Sequence, residues 1–253
     1  MDMEMNMVAV VMTLSLVAIA LALSKKQNLG LEKDLIIGTF RAFIQLMVVG
    51  YILTFVFDAD NFLYILLMIV IMIFVATQNA AKKGQDIPRV FYITFTAITM
   101  ATIISLILLL GFDIIQFEPR FVIPISGMII GNSMIAAAIA LTRIKEEIQL
   151  RKSEIKAALA LGATARQAAQ PAIKTSIKSG LLPTIEGMKT IGLVQLPGMM
   201  TGAILAGADP LFAVKLQIMV IFTLTASVSI SCSLIGLMTY KQFFSKSHQL
   251  TID

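Results

Sequence analysis

The sequence predicts an all-α polytopic membrane protein with seven transmembrane helices and one helical cytoplasmic coupling loop. Hydrophobic residues make up 58% of the 253 residues and charged residues only 14%, whereas a soluble domain is nearer half apolar and a quarter charged. The mean hydropathy is +0.89. Apolar runs of about 20 residues recur along the chain, and this is the length that spans a bilayer as a helix. Residues 1–253 are therefore predicted to form a single transmembrane domain.

The predicted spans follow the apolar runs between charged segments. In chain order they are residues 7–23, 35–57, 62–76, 90–110 and 121–141, a segment within 181–208, and residues 216–240. The first run could instead be a signal peptide. However, Asp2 and Glu4 precede it and no Lys or Arg does, whereas a signal peptide needs a positive n-region. The pattern favours a first spanning helix.

The basic residues predict the orientation, because Lys and Arg are retained on the cytoplasmic side of a membrane. The segments after the first, third, fifth and seventh predicted helices hold sixteen of the twenty basic residues. This distribution predicts an N-terminus outside the cell and a C-terminus in the cytoplasm. The membrane is expected to be the inner (plasma) membrane. It also explains the net charge of +5 without nucleic acid as a partner.

The largest predicted cytoplasmic segment covers residues 143–180. Its first part is rich in strong helix formers, and one side is apolar, as shown by Ile144, Ile148, Ile155 and Leu159. Glu147 and Arg151 have the spacing of a surface ion pair on that helix.

A second, short helix is predicted to follow a turn at Gly162. Thr164 and Gln167 resemble a capping box at its start, and Pro171 is expected to end it. Two interpretations remain open for this segment. It is either a solvated surface arm or a protruding segment that docks into a soluble partner. In the second case, the small side chains around Gly162 would let the partner approach the backbone closely.

The string AALALGATARQAAQP (residues 157–171), with LLPTIE (residues 181–186) after it, resembles the cytoplasmic coupling motif of ABC-transporter permeases. The chain departs from that motif in two places. Glu154 stands three residues ahead of the Ala-Ala pair, and the Leu-Pro pair at 182–183 comes late. The resemblance implies that an ATPase contacts the following residues: Glu154, Ala157, Ala158, Gly162, Ala163, Thr164 and Arg166.

Two further strings, GMIIGNSM (residues 127–134) and LVQLPGMMTGAILAGADPLFAVKLQIMV (residues 193–220), resemble the FetB-type iron-export permeases. The resemblance implies a permease subunit that dimerises, works with a separate soluble ABC ATPase and exports iron or a related metal ion. The sequence contains no G-x-x-x-x-G-K-[ST] string, the loop that cradles ATP phosphates. ATP–Mg is therefore expected on the partner chain, and this chain is expected to bind no cofactor and to be a transporter subunit without enzymatic activity of its own.

Polar groups within the predicted spans are candidates for the substrate pathway, because such groups are costly in a bilayer and often functional. A proline also breaks a helix, and the freed carbonyls of broken helices commonly line transport sites. The candidates for the translocation pathway and its gate are Arg41, Gln45, Asn132, Glu186, Lys189, Gln195, Pro197, Met199 and Met200.

Each candidate also has a purely structural interpretation. Arg41 can snorkel to the nearby surface, Glu186 and Lys189 can form an anchoring ion pair, and Asn132 can bond to a neighbouring helix. The methionines can be packing material. These alternatives stay open at the level of sequence.

The identity of the metal ligands is not predicted. No cluster of His, Cys or carboxylate side chains falls within the predicted spans. A metal would cross chelated, weakly bound, or held between two protomers by Glu186 of each. The sequence also leaves open an organic or conjugated substrate and an ion-coupled secondary transporter. A membrane-embedded enzyme is disfavoured, because His248 is the only histidine and lies after the last span.

Overall fold

The computed structural model describes residues 12–59, 61–245 and 249–251. Within those ranges the secondary structure is helical, with two short 3-10 segments, Lys82–Gly84 and Tyr240–Phe243. The α-helices there are α1 (Leu14–Lys26), α2 (Glu32–Ala59), α3 (Phe62–Ala81), α4 (Val90–Gly111), α5 (Pro119–Leu150), α6 (Lys152–Ala160), α7 (Ala165–Thr190), α8 (Gly198–Leu205) and α9 (Pro210–Thr239). The all-α prediction is confirmed.

Five segments of the described chain are long and apolar enough to cross a membrane. They are Glu32–Asp58, Phe62–Gly84, Val90–Gly111, Pro119–Leu150 and Pro210–Phe243. They correspond to the second, third, fourth, fifth and seventh predicted spans. The count of seven is not confirmed. The first predicted span begins outside the described residues, and only its later part is seen, as α1.

The sixth predicted span, within residues 181–208, is not one continuous helix. Instead α7 ends at Thr190, and the short α8 begins at Gly198 after a non-helical connection. The sequence predicts a break at Pro197. The structure places the break earlier, from residue 191 to residue 197, so that Pro197 marks the start of the next helix.

The predicted coupling loop is also helical over more of its length than expected. Helix α5 runs on through Leu150, and α6 and α7 follow. The prediction that Pro171 ends a short second helix is wrong, because α7 continues through Pro171 and Pro183 for 26 residues. A proline inside a helix loses one hydrogen bond. Helix α7 tolerates this loss because it packs on a buried stripe that includes Ala168, Ala169 and Ala172.

The chain forms two compact units, Met1–Asp60 and Asn61–Asp253. In the first, α1 packs against α2, and the Ser24 hydroxyl donates a 2.8 Å hydrogen bond to Glu32 Oε1 across the connection. The prediction of a single domain over residues 1–253 stays a prediction.

The second unit is built around α5 and α9. Helix α5 contacts α3, α4 and α7, and α9 contacts α4, α5, α7 and α8. The interhelical contacts use small residues, such as the fully buried Ala97, Ala137, Ala140 and Ala169. Large apolar side chains are found both inside and outside: Ile98 and Leu141 are fully buried, whereas Ile107 and Phe222 are exposed. Small residues at interhelical contacts are typical of helices that pack within lipid.

Helix α7 approaches its two neighbours most closely at two glycines. A methyl group on Gly180 would lie 2.5 Å from Cys232 Sγ of α9 and 2.9 Å from the Ala136 carbonyl oxygen of α5. A methyl group on Gly236 of α9 would lie 2.8 Å from Ile177 Cγ1 of α7. Since all three distances are shorter than normal contacts, glycine at these two positions allows α7 to sit this deep between α5 and α9.

Gly180→Ala is expected to destabilise the protein by about 1–3 kcal/mol, the usual cost of overpacking a core. Gly187→Ala on the same helix is the matched control, because a methyl group there meets nothing within 4 Å. The control should leave the stability unchanged or raise it by up to about 1 kcal/mol. The measurement is thermal unfolding of the purified protein in detergent. Equal melting temperatures for the two variants would contradict the proposed packing.

Candidate functional site

The connection after α7 is a tight turn fixed by its own backbone. The Gly192 N–H donates to the Gln195 carbonyl at 2.9 Å, and the Thr190 carbonyl accepts from Val194 N–H at 3.0 Å. Gly192 has a φ of +82°, a conformation that glycine adopts without strain. The turn holds Gln195 next to the C-terminal end of α7.

The family string LPGMMTG…AGADP has a structural explanation. Pro197 is the N-cap of α8, and Gly207 ends that helix with a φ of +89°. The Asp209 carboxylate then caps α9 by accepting from Phe212 N–H at 3.0 Å, and Pro210 is the first residue of α9. Proline at a helix start and glycine just past a helix end are the positions these residues prefer. The string therefore encodes helix α8, the turn at Gly207 and the start of α9.

A cavity of about 290 Å³ lies beside this break. We call it the amide cavity, because neutral hydrogen-bonding side chains from four segments line it: Asn132 of α5, Thr184 of α7, Gln195 of the connection and Gln217 of α9. Gly180, Pro183 and Gly187 of α7 also contribute to its wall. The close packing of α7 at Gly180 thus lies directly at the edge of the cavity.

A second cavity of about 260 Å³ adjoins the first on the α8 side. Gln217, Pro197 and Ile191 line both cavities, and Met200 lines the second. Only 8% of Gln217 is exposed, and its Oε1 is buried without a hydrogen-bond partner in the described part of the chain. An unsatisfied buried acceptor costs stability, so Gln217 is an uncompensated polar group at the junction of the two cavities.

The structure brings some of the predicted pathway residues together and separates others. Asn132, Gln195 and Pro197 line the amide cavity, and Met200 lines its neighbour. Met199 is in neither wall. A role in translocation stays a prediction for all of them.

Four predicted pathway residues lie elsewhere. Glu186 and Lys189 pair with each other at 2.7 Å, and both are exposed and outside the two cavity walls. Arg41 and Gln45 are exposed on α2, in the first compact unit. Within the described residues, no three His, Cys, Asp or Glu side chains are grouped as metal ligands.

Sequence reasoning missed Gln217 and Thr184. Gln217 stands at the start of the seventh predicted span, and Thr184 stands within the LLPTIE string. A lone glutamine in an apolar run was the available signal for the first. Nothing in the sequence marked Thr184, because hydroxyl side chains are common in membrane helices.

At the other end of α7, charged side chains fix the corner between α5 and α6. Glu147 is 3% exposed in its side chain and pairs with two arginines, Arg143 at 2.6 Å and Arg151 at 2.9 Å. Arg151 is the residue between the two helices, and it also reaches Glu154 at 3.1 Å. The hydrogen bonds to Glu147 and then Glu154 raise the pKa of the Arg151 guanidinium. The predicted Glu147–Arg151 pair is therefore present, but its carboxylate is buried.

The α6–α7 turn is well defined and exposed. Gly162, with a φ of +88°, donates to the Leu159 carbonyl at 3.0 Å, and Ala163 donates to Ala158 at 3.0 Å, which is the Schellman pattern of a helix end. Thr164 and Gln167 form the predicted capping box at the start of α7. Leu161 is 89% exposed at the tip.

The other predicted coupling residues lie around this turn. Glu154, Ala157 and Arg166 are exposed, and Ala158, Ala163 and Thr164 are half-buried or exposed. We call residues 154–166, which carry these side chains, the coupling turn. Its contact with an ATPase stays a prediction.

The model of a family described as "Uncharacterised protein family (UPF0014)" matches residues 7–244. The chain belongs to the UPF0014 family. Its curated relatives include the "UPF0014 membrane protein YjkA" of Bacillus subtilis (strain 168), which is 44% identical over 90% of this chain and 91% of the relative. Another is the "Probable iron export permease protein FetB" of Escherichia coli (strain K12), at 42% identity over 90% of this chain and 88% of the relative.

A plant relative, the "Protein ALUMINUM SENSITIVE 3" of Arabidopsis thaliana, is 36% identical over 90% of this chain and 83% of its own length. Among solved structures, none matches this chain. The resemblance to FetB-type permeases is confirmed, and this UPF0014 chain is a multi-pass membrane protein related to permeases.

Glu147→Gln is expected to destabilise the α5–α6 corner, because hydrogen bonds to charged partners contribute about 1.5–3 kcal/mol each and two arginines lose their carboxylate. The neighbouring Glu146→Gln is the matched control. Glu146 pairs with Arg143 at 3.2 Å but is 56% exposed in its side chain, and such pairs contribute about 0–1 kcal/mol. Thermal unfolding together with limited proteolysis at Lys152 reports the difference. If both variants unfold and cleave alike, the buried pair does not fix the corner.

Proposed function

We propose that this UPF0014 protein is the permease subunit of an ATP-driven ABC transporter that exports iron or a related metal ion across the inner (plasma) membrane. Its 42% identity to a relative named as an iron export permease supports the substrate and direction. The family's expectation adds a homodimer of the permease and a soluble ABC ATPase that binds ATP–Mg. The charge pattern supports an N-terminus outside and a C-terminus in the cytoplasm.

The observation that supports this function most is the continuity of α7. Its 26 residues span about 39 Å at 1.5 Å per residue. The helix begins at the coupling turn, capped by Thr164 and Gln167, and ends beside the amide cavity, which it lines with Pro183, Thr184 and Gly187. One continuous helix thus connects the exposed coupling turn to the wall of the amide cavity.

The geometry suggests how ATP hydrolysis would act on the substrate. An ATPase that moves the coupling turn would displace α7 along its length. Gly180 makes room for the Cys232 side chain of α9, and Gly236 makes room for the Ile177 side chain of α7, so this contact would act as the pivot. Movement of the cavity residues beyond the pivot would then change access to the amide cavity, as alternating-access transport requires.

The ion pairs of Glu147 with Arg143 and Arg151 would help to transmit this movement. Arg151 joins α5 to α6, and its ion pairs with Glu147 and Glu154 hold α6 in one orientation. Movement of the coupling turn on docking would then displace α7 and would not merely bend the chain between α5 and α6.

The exposed carboxylate of Glu186 is a candidate contact for the metal. It lies one residue before Gly187, which lines the amide cavity, and it is paired with Lys189 within the protomer. Contact between Glu186 of each protomer and the metal across a dimer stays a prediction. Glu186→Gln would then abolish export while leaving assembly intact, and retained export would show that the carboxylate only anchors the helix.

Leu161→Glu is expected to reduce stimulation of the cognate ATPase by the permease at least tenfold, because docking would bury an unpaired carboxylate in the interface. The side chain is 89% exposed, so the substitution should not change the melting temperature. The matched control is Leu150→Glu, because Leu150 is 77% exposed at the end of α5 and outside the coupling turn.

The measurement is ATP hydrolysis and iron efflux in proteoliposomes that contain both subunits. Wild type and the Leu150 variant should couple the two activities, and the Leu161 variant should lose both. If no ATPase is stimulated by the wild-type permease, the ABC proposal is wrong. If both leucine variants behave like wild type, the coupling turn is only a solvated arm.

A further inference from the structure

The walls of the two cavities beside the α7–α8 connection are electrically neutral. Of the described residues that line them, none is Asp, Glu, Lys, Arg or His. The nearest ionisable pair on α7, Glu186 and Lys189, is exposed and neutralised internally. A bare multivalent cation would lose its hydration in such a cavity without gaining a compensating charge, at a large cost in free energy.

The polar groups that are present suit hydrogen bonding. Asn132 uses its Nδ2 in a 2.8 Å bond to the Met128 carbonyl on its own helix, which leaves its Oδ1 available as an acceptor. Gln217 forms no hydrogen bond through its buried Oε1. Rotation about the last side-chain bond of Gln217 turns either the oxygen or the NH₂ group towards the cavity. The amide can therefore meet a donor or an acceptor on a ligand.

We infer that the amide cavity binds a compact ligand of low net charge through hydrogen bonds, with Gln217 as the central contact. This inference rests on the proposed function for its substrate. In an iron exporter, the ligand is an iron complex whose own ligands neutralise the metal and carry N–H or O–H groups. The amide cavity then contacts the outer shell of the complex and supplies no direct metal ligand of its own.

The size of the site agrees with this inference. A liquid water molecule occupies about 30 Å³, so a cavity of about 290 Å³ has room for a metal surrounded by several ligand groups. The position of Gln217 at the junction with the second cavity lets a ligand keep this contact while part of it lies on the α8 side, next to Met200.

The binding test uses the purified permease alone in nanodiscs. Triamminetrinitrocobalt(III) is a neutral, exchange-inert complex with N–H donors and nitro oxygens as acceptors, and hexaamminecobalt(III) is its tripositive counterpart. Equilibrium dialysis with cobalt analysis should show saturable binding of the neutral complex. Gln217→Leu should weaken that binding about five- to tenfold, the value of roughly one neutral hydrogen bond.

The matched control is Gln116→Leu, the same chemical change at an exposed glutamine in the connection before α5. It should leave binding unchanged. Gln217→Leu should keep or raise the melting temperature, because an apolar side chain replaces an unpaired buried amide. Tighter binding of hexaamminecobalt(III), or equal binding of the neutral complex by both variants, would overturn the inference.

A transport test shows whether the substrate is the intact iron complex, the iron alone or the organic ligand alone. Proteoliposomes with the ATPase are loaded with the neutral ferric complex of acetohydroxamate, with radiolabels on both iron and ligand. Export of both labels in the stoichiometry of the complex supports an iron complex as the substrate. Export of iron alone would overturn it, as would export of the hydroxamate at the same rate without iron.

Different results would overturn the transporter function and the neutral binding site. If wild type shows no ATP-driven efflux but binds the neutral cobalt complex through Gln217, the transporter function is wrong and the neutral site stands. If wild type exports iron and the binding test shows no dependence on Gln217, the exporter stands and the neutral site is wrong.

Discussion

The position of α7 against α5 and α9 is the constraint on which the second compact unit depends. Gly180 and Gly236 leave room for the side chains of Cys232 and Ile177 at the contact between α7 and α9, and the buried alanine stripe of α7 continues that contact towards the coupling turn. In lipid, where no hydrophobic effect drives helices together, such close packing is the main source of association. It fixes where both ends of α7 lie and thereby places the coupling turn and the amide cavity on one element.

Charge and polarity are divided between the two ends of this helix. At the coupling end, a buried carboxylate is fully paired by two arginines, so a rigid corner forms close to water. At the cavity end, the hydrogen-bonding side chains are neutral amides and a hydroxyl. Neutral groups can be desolvated at far lower cost than charges. The chain therefore has a corner fixed by charge pairs and, elsewhere on the same unit, a cavity lined by groups that can lose water at low cost.

The sequence was sufficient for features that depend on local patterns. Apolar runs predicted five of the long helices, and the Thr164–Gln167 box and the Gly162 turn follow from capping chemistry. Features decided by tertiary contacts were not predictable. Packing keeps α7 helical through Pro171, and burial turns the Glu147 pair from a surface contact into an internal one. Gln217 became a candidate only when helix packing placed it beside Asn132 and Gln195, because its distance from them in sequence gives no sign of a shared cavity.

The packing at Gly180 also gives the molecule an internal reporter. Cys232 is the only cysteine of the chain, it is buried, and the backbone of α7 at Gly180 lies directly over its sulfur. A thiol reagent can reach that sulfur only when the two helices separate. The rate of alkylation of the unmodified protein therefore measures how often α7 leaves α9, and no label has to be introduced to follow that motion during a transport cycle.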